Sequence, residues 1–144
     1  MKKVCYGVFV FIIIVTDQII KMLMMNRNID ILKDIVSLSY TENTNAAFSI
    51  GNYYIVTIGS LGIIIILLIL LFIFRSKVTN FLPIILILSG GISNLIDRIF
   101  RGFVIDYISI FSFPVFNVAD MCIVIGVIIF IIQIIYGYIK KEKV

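Results

Sequence analysis

Residues 54–74, YIVTIGSLGIIIILLILLFIF, contain no charged side chain. At a rise of about 1.5 Å per residue, a helix of that length crosses a hydrocarbon core about 30 Å thick. Three further apolar runs surround it. The first, 4–24, follows Met-Lys-Lys and resembles a signal peptide, but no small-x-small cleavage site follows. It continues instead as TDQIIKMLMM in a helical pattern and reads as an uncleaved transmembrane helix. The third, 81–101, runs through LPIILILSGGISNLIDRI, and the fourth covers about 119–138. Hydrophobic residues make up 62% of the 144, with mean hydropathy +1.20, whereas soluble domains are roughly half apolar. The expectation is an all-α membrane protein, a single embedded domain over 1–144 with four transmembrane helices. A small external β-containing platform is expected between helices one and two, in the long segment 25–53. There, apolar and polar residues alternate around 35–41, which suits a short strand.

Lysine and arginine placement sets the expected orientation. Lys2, Lys3, Arg75, Lys77, Lys140, Lys141 and Lys143 occupy short bare flanks on one side. Lys21, Arg27, Lys33, Arg98 and Arg101 fall on the other, within or beside helices and next to acids. Both termini are therefore placed in the cytoplasm, with a tight cytoplasmic turn at 75–80 and an external connection at 100–117. The net charge of +4 follows this topology pattern, so no nucleic-acid partner is expected. The chain has no histidine, which excludes a Ser-His-Asp triad, a Cys-His pair and the common zinc sites. Proton transfer falls mainly to carboxylates. Cys5 and Cys122 lie near opposite membrane faces in this topology, too far apart for a disulfide.

The polar residues with unusual addresses share one depth. Asp17 and Lys21 fall late in helix one, and Asn94, Asp97 and Arg98 late in helix three. Asp106 follows in the external connection, Asn117 and Asp120 open helix four, and Glu42, Asn43 and Asn45 lie in the long external segment. Gly90, Asn94, Asp97, Arg98 and Arg101 recur along one helix face, and Gly90 with Gly91 allows close helix approach. Each residue also has a structural reading. Asp17 and Lys21, four apart, suit an ion pair; Asp97 and Arg98 suit an interfacial charge cluster. Asn117 reads as a helix cap, with Asp120 in the first turn, where free amides and the dipole favour a carboxylate. The candidate chemical pair is Asp106 and Asp120, which the turn containing Pro114 could bring together. Two close carboxylates share a proton, so one can activate water while the other donates. That is aspartic peptidase chemistry, with no need for histidine, metal or cofactor. A small transporter or channel is the alternative, since intramembrane carboxylates with basic partners also mark ion pathways. Such sites tend to lie near the midplane, whereas these charges sit toward one face.

The ordered set DQIIK (17–21), NTNAAF (43–48), SNLIDR (93–98), GFVIDY (102–107) and FNVAD (116–120) resembles lipoprotein signal peptidase, or signal peptidase II. The resemblance covers nearly the whole chain. It implies a bacterial aspartic endopeptidase of the cytoplasmic membrane that cleaves prolipoprotein signal peptides before a diacylglyceryl-modified cysteine. The implied catalytic pair is Asp106 and Asp120. Asn43, Asn94, Arg98 and Asn117 match polar positions that line the family's site, and Asp17 and Lys21 match a supporting motif. Implied partners are lipid-modified prolipoproteins and membrane lipids; a monomer is expected, with the site toward the outer face. Two positions depart from the family pattern: Asn45 and Ser93 stand where glycine is usual.

Overall fold

The computed structural model describes residues 2–33, 35–44, 53–74 and 80–142. Asn45 to Phe48 of the NTNAAF motif, and residues 75–79 of the expected cytoplasmic turn, lie outside them. The order is α1 (Lys2–Met24), β1 (Asn28–Leu32), β2 (Val36–Asn43), α2 (Tyr53–Ile73), α3 (Leu82–Arg101), β3 (Val104–Ile110) and α4 (Val118–Glu142). Within α1, α3 and α4, the stretches Tyr6–Met24, Leu82–Arg101 and Val118–Ile139 are each long and apolar enough to cross a membrane.

The molecule is apolar outside and polar inside. Phe9, Phe11 and Ile12 of α1, Ile58, Ile63 and Phe72 of α2, and Ile128 and Ile132 of α4 are all exposed. Asp17, Lys21, Ser89, Ser93, Asn94, Asp97, Asp106 and Asn117 are buried. Water offers no reason for that distribution. A bilayer does, because lipid tails solvate the outer face while buried polar groups partner one another.

The helices meet where side chains are smallest. A Cβ added to Gly90 would overlap the carbonyl oxygen of Ala119, so α3 and α4 touch backbone to backbone. One added to Gly126 would meet Ile87 and the Pro83 carbonyl. Gly91 makes room for Ile64 of α2. This is small-residue packing of the kind that holds helices together where no hydrophobic force separates them from solvent. α3 ends at Gly102, whose left-handed backbone (φ 82°) lets its N–H cap the Arg98 carbonyl.

The expected platform is a three-stranded antiparallel sheet, ordered β1-β2-β3. Its composition differs from the expectation in one respect. β1 and β2 come from the segment between the first two helices, but β3 comes from the connection between α3 and α4. Val104–Tyr107 are buried in succession, because both faces of that stretch are covered, and this erases the alternation that marks a half-exposed strand. Asn43 pairs with Val104 and Thr41 with Asp106. Asn43 and Asp106 thus stand diagonally on one face of the sheet.

Replacing Gly90 with alanine tests the helix contact. Alanine ordinarily gains about 1 kcal/mol over glycine within a helix. Here it is expected to cost about 1–3 kcal/mol through overpacking, read as a lower thermal midpoint in detergent. An unchanged or raised midpoint would refute the backbone contact.

Candidate active site

Lys21 is fully buried. Its Nζ lies 2.9 Å from Asp17 Oδ2, 2.8 Å from Asp97 Oδ2 and 2.8 Å from Asn94 Oδ1, so its three hydrogens have three acceptors. The acids are satisfied in turn. Asp17 accepts from the Ser93 hydroxyl at 2.6 Å and from the Ala119 amide at 3.1 Å. Asp97 accepts from Gln18 Nε2, from Arg101 and from the Ile105 amide at 3.3 Å. One buried ion cluster therefore ties α1 to α3, and also grips the backbone of β3 and the first turn of α4. The free amides of a helix N-terminus are natural donors to a carboxylate, and Asp17 uses one of them.

Each gripped amide directly precedes a candidate aspartate. Ile105 leads into Asp106, and Ala119 into Asp120. Asp106 accepts from Asn43 Nδ2 at 2.8 Å and from Asn117 Nδ2 at 2.7 Å. Asp120 accepts from Asn94 Nδ2 at 2.7 Å and from the Asn117 backbone N–H at 3.2 Å. Asn117 Oδ1 takes the Asp120 N–H at 2.9 Å, closing a reciprocal capping box at the start of α4. Asn117 is thus both the expected cap and a link between the two carboxyl groups.

Asp106 is 2% exposed. Burial, reinforced by the nearby Asp120 charge, lifts its pKa from 3.8 to about 6, against the donors Asn43 and Asn117 and the Lys21 charge. Because its folded pKa lies above its unfolded value, this carboxyl stabilises the fold while protonated. That contribution is lost as pH rises from 3.8 toward about 6.

A cavity of about 230 Å³ opens beside Asp120, between α2, α3 and α4. Ser60, Ile63, Ile64 and Leu67 form one wall; Asn94, Arg98 and Asp120 form its polar end. Of the residues singled out from sequence, Asp17, Lys21, Asn43, Asn94, Asn117, Asp106 and Asp120 join one network, and Arg98 borders the cavity beside Asp120. The residues overlooked are Gln18 and the full role of Ser93. Gln18 donates to Ser93 and Asp97 and accepts from Arg101 at 2.9 Å. A glutamine inside an apolar helix was itself a signal. Ser93 supplies the hydroxyl on Asp17.

An apolar exterior, several membrane-length helices and a carboxylate-bearing site at one end define a multi-pass membrane protein with the makings of a hydrolase. The chain belongs to the signal peptidase (SPase) II family of peptidases, whose pattern matches residues 9–136. It is 37% identical to the lipoprotein signal peptidase of Halothermothrix orenii over 134 residues, 88% of this chain and 92% of that one. It is 39% identical to the lipoprotein signal peptidase of Clostridium tetani over 125 residues, covering 81% and 80%. A bacterial membrane enzyme solved by the in meso method at 2.3 Å shares the fold with a TM-score of 0.76 and 26% identity, over 93% of this chain and 89% of that one. A second, solved at 1.9 Å, gives 0.71 and 27% over 89% and 90%. Membership of this family displaces the transporter alternative.

Replacing Asn43 with leucine removes a donor that favours the Asp106 carboxylate. The Asp106 titration should move up from about 6 by about one unit, the worth of a hydrogen bond to a charged group. Infrared titration of the carboxyl stretch reads this directly, and an unmoved midpoint would remove Asn43 from the site.

Proposed function

We propose that this protein is an aspartic endopeptidase that removes signal peptides from diacylglyceryl-modified prolipoproteins, with Asp106 and Asp120 as its catalytic pair. The observation that carries the reading is the joint hold of Asn117 on both carboxyl groups. Its side chain donates to Asp106 and its backbone to Asp120, beside an open cavity.

Charge balance supports a shared proton. Asp17, Asp97, Asp106 and Asp120 face Lys21, Arg98 and Arg101, so the site lacks one positive charge unless one carboxyl is protonated. Asp106, drawn toward its protonated form, is the better proton holder. Asp120 then acts as the base. It takes a proton from water, the oxygen attacks the scissile carbonyl, and Asp106 donates its proton to the carbonyl oxygen. Collapse of the tetrahedral intermediate breaks the C–N bond, and a proton passes to the leaving amine. Arg98, at the polar end of the cavity, and Asn43 and Asn94 hold the peptide and the developing charge. The apolar wall of α2 suits the greasy portion of a lipid-modified substrate, and the 25–53 segment clamps the extended peptide.

The same reading makes residues 1–144 one peptidase domain with four spans, α2 included, acting as a monomer in the bacterial cytoplasmic membrane. Both termini face the cytoplasm and the pair lies toward the outer face, where the lipidated cysteine of a substrate resides. The lysine and arginine distribution supports that orientation.

Cleavage of a diacylglyceryl-modified prolipoprotein by purified protein in bilayers tests the reading. Wild type should release the signal peptide, and Asp106→Asn and Asp120→Asn, at matched folding, should each lose at least about a hundredfold in rate. Cleavage retained by either variant would take that residue out of the pair.

A further inference from the structure

Asn94 connects the buried ion cluster to Asp120. A carboxamide has a donor end and an acceptor end of nearly equal shape, so shape alone does not decide which end meets a neighbour. Here Oδ1 receives Lys21 Nζ at 2.8 Å and Asn117 Nδ2 at 3.2 Å, while Nδ2 donates to Asp120 Oδ1 at 2.7 Å. Turned over, the amide would set its NH₂ against an ammonium and its oxygen against a carboxylate. Both contacts would be repulsive.

We infer that Lys21 is a positioning residue that locks the Asn94 carboxamide with its NH₂ on Asp120, and so fixes the Asp120 carboxylate as the base of the Asp106–Asp120 pair. This deepens the peptidase reading and rests on it. An ion pair with Asp17 and Asp97 would use two of the ammonium hydrogens, whereas the third is spent on Asn94. The charge reaches the pair as well, since Lys21 holds the Asp106 pKa down. The groups facing the pair are Asp17 and Lys21 from α1, Asn43 from β2, Asn94, Asp97 and Arg98 from α3, Tyr107 from β3, and Asn117 at the start of α4. Lys21 is the cation among them that touches Asn94 Oδ1.

The test compares pH–rate profiles of prolipoprotein cleavage. Lys21→Met alone leaves buried Asp17 without a cation and Asp97 with Arg101 only, so the working variants are the charge-balanced Lys21→Met/Asp17→Asn and Lys21→Met/Asp97→Asn. A balanced variant that folds should lose about ten- to a hundredfold in kcat, as for a misplaced catalytic group, with KM little changed. The alkaline limb of its profile should move to higher pH, because loss of the Lys21 charge raises the pKa of Asp106, the acid of the pair. A folded balanced variant with the wild-type profile would overturn the inference. So would failure of both balanced variants to fold, because Lys21 would then be a folding residue whose loss cannot be separated from the fold. The Asp106→Asn and Asp120→Asn controls tell the two levels apart. If either still cleaves, that residue leaves the pair on which the inference rests; if both are inactive while a balanced variant keeps the wild-type profile, the Lys21 inference alone fails.

Discussion

The fold around the site depends on one desolvated ammonium. An ion taken out of water costs several kcal/mol unless its partners replace hydration fully. Lys21 meets that condition with Asp17, Asp97 and Asn94, one acceptor for each hydrogen. Those acceptors have unused lone pairs, and the chain fills them with the Ser93 hydroxyl, Gln18, Arg101 and the amides of Ile105 and Ala119. In a medium without water every such requirement must be met by protein, so satisfying one lysine draws α1, α3, β3 and α4 to a common point.

The placement of the two aspartates is a consequence of that convergence. The cluster holds the backbone at Ile105 and Ala119, and Asp106 and Asp120 are the next residues along each strand or helix. Their positions are fixed through peptide units with little freedom, rather than through flexible side chains. Asn117 then spans the gap, capping α4 with its oxygen and reaching Asp106 with its nitrogen. The close contact of Gly90 with Ala119 serves the same end, since a bulkier residue at either position would lift the start of α4 away from α3. Rigid scaffolding of this kind is what a carboxylate pair needs, because its chemistry depends on separation and shared donors.

Much of this was legible residue by residue. The apolar runs marked helices, and Asp17, Lys21, Asn94, Asp97, Asp106, Asn117 and Asp120 stood out because charge and amide groups are costly beside lipid. The capping role of Asn117 was legible from its place before α4. Strand β3 was not, because Val104–Tyr107 are covered on both faces and show no period of two. The partnership of Ser93 with Asp17 and Gln18 was not either: those residues are separated by more than seventy positions, and nothing local in a serine tells whether it will meet a carboxylate.

The sequence by itself determined that this chain enters a membrane, which polar residues it carries there, and that they gather at one end of the helices. Those properties are set by local composition and by helix length against bilayer thickness. Its ordered motifs also marked the peptidase family. Only the tertiary structure decided who partners whom: that Lys21 serves Asp97 and Asn94 as well as Asp17, that a strand from the last connection completes the sheet, and that Asn43 reaches Asp106 across it. Such pairings depend on the crossing of α3 with α4 and on strand register. Both are outcomes of packing and hydrogen-bond closure over the whole chain, which no single segment encodes.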